Sequence, residues 1–166
     1  MIVSSNIHKE PILSIWLPIQ PKAIQSVRFS ARCGYVQTFQ PQSNKNWKLT
    51  IKNEVYKQLP ADWKILDSEP LWVEVSYVFP PLKSFKKADK EWIEAGNYIS
   101  KDTKPDANDN LNKGLYDALT GILWADDAKV AWPAAVKVYG KNPGIWLSIG
   151  VMPKRIERKQ YEREDD

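Results

Sequence analysis

Short apolar runs, broken by prolines and polar stretches, recur along the chain, and two periodicities sort them into elements. Ile12–Ile19 (ILSIWLPI) is too short for a core helix and is flanked by Pro11 and interrupted by Pro18, which predicts a buried strand. In Leu71–Phe79 (LWVEVSYVF), Val73, Val75 and Tyr77 alternate with Glu74 and Ser76, the pattern of a half-buried strand, and Pro80-Pro81 ends it. Val130–Tyr139 and Ile145–Met152 predict two more strands, joined by the turn-forming GKNPG of Gly140–Gly144. Helical spacing shows first in Trp47, Ile51, Val55 and Leu59, with Ser43 as the expected N-cap and Pro60 as the stop. It shows again from Asn108 to Thr120, where Leu111, Leu115, Ala118 and Leu119 share a face and Gly121 sits where a C′ glycine belongs. Lys83–Gly96 predicts a short basic helix, and Gln20–Phe29 reads as a loop or edge strand.

The order β, α, β, α, β, β predicts an α/β (α+β) fold, one compact domain with a mixed β-sheet packed against two to three helices. We expect that domain to occupy residues 1–152 and residues 153–166, almost all polar, to form a tail. At 166 residues and 43% hydrophobic the chain can bury a sizeable core, and its eight tryptophans fit core positions better than base-stacking platforms. No apolar run approaches the roughly 20 residues that cross a bilayer, and Met1–Pro11 lacks the order of a signal peptide, so a soluble, cytoplasmic protein is expected. One cysteine, Cys33, excludes an internal disulfide and a multi-thiolate zinc site, and the single histidine, His8, leaves no histidine for a core catalytic base. A balance of 24 basic against 20 acidic residues suits a polyanionic partner only mildly.

The chemistry concentrates in Lys104–Lys113 (KPDANDNLNK), which opens a helix, and in Asp126-Asp127 after it. Four carboxylates and a lysine thus fall at the two ends of one helix-loop unit. Carboxylate oxygens suit hard cations such as Mg²⁺ or Mn²⁺, which keep waters free for substrate phosphates. Cutting a phosphodiester, an anionic and unreactive electrophile, calls for such a cation.

Asp109-Asn110-Leu111, Lys113, Asp117-Ala118-Leu119, Gly121, Asp126-Asp127-Ala128 and Val130 together resemble the signature of the RusA-type Holliday junction resolvases. The resemblance is densest over Lys104–Val130, with fainter echoes in Pro21-Lys22, Gln25–Arg28 and the lysines after Pro80-Pro81. It implies a Mg²⁺-dependent endodeoxyribonuclease, with Mn²⁺ able to substitute, that resolves four-way DNA junctions by paired nicks as a homodimer; small resolvases of this kind often resemble prophage proteins. The implied catalytic residues are Asp106, Asp109, Lys113, Asp126 and Asp127. Asp106, Asp109 and Asp127 would be metal ligands, Asp126 a further ligand or their support, and Lys113 would stabilise the transition state. In the family the first two aspartates are two positions apart; here Asp106 precedes Asp109 by three, so the loop must absorb one residue for Asp106 to serve.

Each of these residues also has a plainer role. Asp106, Asn108 and Asp109 are good helix N-terminal residues, Asp126-Asp127 suits a turn, and Lys113 is an i,i+4 partner for Asp109. Asp117 reads as a structural hydrogen-bonding group. Lys22, Arg28, Lys83, Lys86, Lys87 and Lys90 are the candidate DNA-phosphate contacts, against the alternative of an ordinary solvated face. A nuclease for forks, flaps or duplex DNA, or a non-catalytic DNA-binding relative, are the alternatives to junction resolution.

Overall fold

The computed structural model describes residues 10–24, 28–32, 35–39 and 41–155, with the backbone alone described for 28–32 and 35–39. Among these the order is β1 (Leu13–Leu17), β2 (Arg28–Arg32), β3 (Tyr35–Phe39), α1 (Gln42–Tyr56), β4 (Leu71–Phe79), α2 (Lys87–Glu94) and β5 (Ile99–Ser100). A π-helical turn (Ala107–Asn112) then runs directly into α3 (Lys113–Leu119), followed by a 3₁₀ turn (Asp127–Lys129), β6 (Val130–Tyr139) and β7 (Gly144–Val151). Expectations for His8, Cys33 and residues 156–166 fall outside the described residues.

Five strands form one mixed sheet in the order β1-β7-β4-β6-β5, with β4 and β6 parallel and the other pairs antiparallel. The fold is α+β, as expected. The long strands match their sequence patterns closely, since the alternation in β4 buries Val73, Val75 and Tyr77 and leaves Glu74 exposed. Those buried residues join Leu13, Ile15 and Leu17 of β1, Ile145, Leu147 and Ile149 of β7, and the apolar faces of α1 and α3 in one core. Helices cover that face. The opposite face carries the half-exposed Trp146 against Trp16, their rings 6.0 Å apart.

Three expectations need correction. The helix expected to start at Ser43 starts at Gln42, because Pro41 fixes its own φ near −53° and its carbonyl already accepts from Asn44 N; Ser43 lies inside the first turn, and no side chain caps it. Leu59, expected on that helix, packs on the core beyond its end. The basic helix shrinks to Lys87–Glu94, because Leu82–Phe85 turns back on itself after the prolines through Phe85 N to Leu82 O. Of the segment expected as a loop or edge strand, residues 20–24 carry no helix or strand and Arg28-Phe29 open β2, which pairs with β3 in a separate two-stranded sheet.

Among the described residues the outer edge of β6 is paired only at its end, where β5 meets Val138 and Tyr139. Pro133 lies in the uncovered part, and the β4–β6 register slips between Leu71 and Trp72.

Candidate active site

The expected helix from Asn108 to Thr120 exists, but its first turns are wound as a π-helix: Leu111 N donates to Asp106 O, five residues back, at 3.2 Å. Of the three residues suited to its start, Asp106 is the N-cap. Asp106 Oδ1 accepts from the backbone N–H of Asn108 at 2.9 Å and of Asp109 at 3.1 Å, satisfying two donors that a helix start leaves free. The turn leaves Asp106 at the helix mouth, three residues before Asp109, with both residues exposed.

Buried polar contacts hold this turn to the sheet. Asn112, 4% exposed, accepts from Tyr77 Oη of β4 at 2.8 Å through Oδ1, and its Nδ2 reaches Asn108 Oδ1 at 3.4 Å. Burial, with the nearby Tyr116, pushes the Tyr77 phenol well above its ordinary pKa, so it stays a donor to Asn112. The helix ends at Thr120, and Gly121 follows with φ of +79°, the left-handed conformation expected of a C′ glycine.

Several expected residues converge on the Asp106 end. Ile24 N donates to Asn110 O at 3.2 Å, and the Ile24 side chain lies where any Cβ on Gly114 would be. That contact needs glycine. It draws the strap Pro21–Ile24, with the half-buried Lys22, across the helix, so that Ala23 lines a cleft of about 600 Å³ together with Asp102, Lys104, Asp106, Asn110 and Lys137. On the other side Phe85 packs edge-on against Tyr139 at 5.1 Å, which sets the N-terminal part of α2 at the C-terminal ends of β4 and β6. Lys83, Lys86, Lys87 and Lys90 are all exposed there; Lys90 donates to Lys83 O at 2.9 Å, and Lys87 lies 3.7 Å from Glu91. The side chain of Arg28, at the start of β2, lies outside the description.

Asp126 and Asp127 stand elsewhere. Asp126 caps the 3₁₀ turn through Oδ1 to Ala128 N at 2.8 Å, and Asp127 is exposed in that turn, at the start of β6. The Asp106 loop, by contrast, is held at the far end of β6 by Lys137. Seven strand residues at ~3.3 Å each, less the reach of a lysine, put the two acidic ends about 20 Å apart. Among the described residues no three His, Cys, Asp or Glu side chains come together to hold a metal ion. Asp106 with Asp109 fits a hard cation that takes one or two carboxylates and completes its shell with water and phosphate. The full set of Asp106, Asp109 and Asp127 does not assemble within one chain.

Lys113 is exposed one turn beyond Asp109. Asp117, one turn further, pairs with Lys48 of α1 at 3.0 Å, the structural role expected of it. Sequence reading passed over Lys101, Lys137, Tyr139 and Asn112. Lys101 Nζ stands 5.2 Å from the Phe79 ring centre and 5.0 Å from that of Tyr139, and donates to Thr103 Oγ1 at 2.6 Å and Tyr139 Oη at 3.0 Å. The Thr103 hydroxyl and then Lys101 hold the Tyr139 phenol below its ordinary pKa, against the opposing effect of desolvation. One signal was available for Lys137, the only charge in an otherwise apolar strand.

No helix among the described residues is long and apolar enough to cross a membrane. The chain is 30% identical over 132 residues to the Bacillus subtilis (strain 168) protein described as "Uncharacterized protein YqaN", a match spanning 78% of this chain and 89% of that protein. The family profile described as endodeoxyribonuclease RusA matches residues 18–150, which take in the strap, the helix with both of its acidic ends, and the strands β4, β5, β6 and β7 of the main sheet short of the last residue of β7, leaving out β1. The chain therefore belongs to the RusA endodeoxyribonuclease family.

Proposed function

We propose that the protein is a Mg²⁺-dependent endodeoxyribonuclease that resolves four-way DNA junctions as a homodimer, with Mn²⁺ able to substitute. The observation that carries this reading is the pairing of an exposed Asp106–Asp109 helix mouth with lysine-bearing flanks on both sides, inside a match to a DNA-cutting family. Asp106, Asp109 and Asp127 would hold the cation, with Asp126 as a further ligand or the brace of its turn. The bound cation would supply Lewis acidity and a hydroxide at neutral pH.

The protein's own residues do the rest. Lys113, exposed beside Asp109, meets the charge that grows on the phosphoryl oxygens as the bond breaks. Lys22, Arg28, Lys83, Lys86, Lys87 and Lys90 contact phosphates, which sets the register of the arms without reading their sequence. The separation of the two acidic ends gives the dimer a specific task. A two-fold axis that brings the helix mouth of one chain against the partner subunit's Asp127 completes two equivalent sites at once. Two sites related by a two-fold suit a substrate with the same symmetry.

Labelled four-way junctions, forks, flaps and plain duplex, incubated with excess protein and with Mg²⁺, Ca²⁺ or chelator, test the reading. Paired cuts in the junction with Mg²⁺, binding without efficient cutting in Ca²⁺, and silence in chelator are expected. Equal cutting of plain duplex would favour the broader nuclease, and junction binding with no cutting in any metal would favour a non-catalytic relative.

A further inference from the structure

Lys137 belongs to none of the motifs in the acidic segment, yet it holds the loop from which that segment starts. It lies opposite Tyr77 in the β4–β6 register, so its side chain rises on the helix-covered face of the sheet. Its Nζ donates to Thr103 O at 2.8 Å and to Pro105 O at 2.8 Å, the carbonyls on either side of Lys104, and its own backbone oxygen accepts from Lys101 N at 2.9 Å. One strand residue thus clamps residues 101–105 three times. Asp106 follows at once, with Oδ1 committed to the helix amides and the carboxyl group facing the cleft that Lys137 also lines.

We infer that Lys137 is a positioning residue for Asp106: by fixing the carbonyls of Thr103 and Pro105 it sets the direction of the Asp106 carboxylate and with it the divalent-cation affinity of the helix mouth. This rests on the reading of Asp106 as a metal ligand. Two roles for a lysine at this place predict opposite signs. A lysine that only adds positive charge beside an acidic pair repels a cation, so its removal would tighten cation binding. A lysine that orients a ligand is the other case, and its loss weakens binding, by about 10- to 100-fold for partners of this kind.

The test compares the full chain with Lys137→Met and Lys137→Arg in the absence of DNA. Mn²⁺ binding is read from the electron-spin signal of the free ion, and hydrogen exchange from the Asn108 and Asp109 amides, whose acceptor is Asp106. Lys137→Met should bind Mn²⁺ about tenfold more weakly or worse and exchange both amides faster, and Lys137→Arg, which keeps charge and donors, should recover most of both. Should Lys137→Met fail to fold, Lys137→Arg against wild type carries the comparison, with a small shift expected in the same direction. Tighter or unchanged Mn²⁺ binding with unchanged exchange overturns the inference. A wild-type chain that binds no Mn²⁺ removes Asp106 as a ligand instead, a failure of the function reading that is told apart by amide exchange still responding to Lys137.

Discussion

If one cation needs both ends of the helix, two damaged subunits should repair each other. Asp106 and Asp109 lie about 20 Å from Asp127 in the same chain, judged from the rise of β6 between Val130 and Lys137. A cation whose ligand oxygens stand at roughly 2.0–2.6 Å cannot join groups so far apart. Consider Asp109→Asn in one chain and Asp127→Asn in the other, coexpressed with different affinity tags so that the mixed dimer is purified by two successive captures. Each parent homodimer has both sites broken and should be inactive. In the mixed dimer one site collects both lesions and the other collects none, so about half of the wild-type sites are intact. Nicking of a labelled junction should therefore return to about half the wild-type rate per dimer, while paired cutting stays lost because only one strand can be cut. Denaturing gels report the nicks and native gels the resolved arms. A mixed dimer as inactive as its parents refutes the shared site, since a site built within each chain leaves both halves broken.

Because Asn caps a helix about as well as Asp, Asp106→Asn should leave stability within about 0.5 kcal/mol of wild type, whereas Asp106→Ala should lose about 1 kcal/mol; both should lose cleavage. Denaturant melts and junction assays on the two variants check this, and full activity in Asp106→Asn would exclude that carboxylate as a ligand. Tyr77→Phe should cost about 1–3 kcal/mol by stranding buried Asn112, while Tyr116→Phe, whose hydroxyl has no partner among the described residues, should be near neutral, a contrast that urea titration resolves. Both phenols have raised pKa values in the folded protein, so their contribution to stability is fully present below the unfolded value of about 10 and declines as pH rises through it. Phenolate absorbance should accordingly show these two of the seven tyrosines ionising only as the protein unfolds in alkali.

What the sequence disclosed follows from where local rules decide the outcome. The alternation in Leu71–Phe79 and the largely apolar runs of β6 and β7 each allow one economical burial, and the strands lie within a residue of their expected limits. Gly121 likewise had only one sensible conformation to offer. Ser43 misled because capping propensity says nothing of Pro41, whose carbonyl closes the first turn earlier. The helical run opens at Ala107, one residue before the expected Asn108, because a π-turn, stabilised from outside by Tyr77 on Asn112, is invisible to a 3.6-residue count. The acidic residues were legible as a group, but their division between opposite ends of β6 depends on the β4–β6 pairing, a contact across more than fifty residues of chain. Lys137 and Lys101 escaped for the same reason, because their partners are backbone carbonyls and hydroxyls that become neighbours only once the sheet has formed.

The margin of β6 that no described strand pairs with also bears on how the protein behaves at high concentration. An unpaired strand margin is a template on which a stranger's chain can grow, and the usual end is a fibre or a precipitate. Here Pro133 offers no N–H to such a guest, and the slip in register beside Trp72 bends the strand away from the straight, repeating line that stacking requires. Crowded on a DNA molecule or in a concentrated stock, these molecules should stay discrete particles, and substituting Pro133 with a β-branched residue would be the simplest way to make them stick.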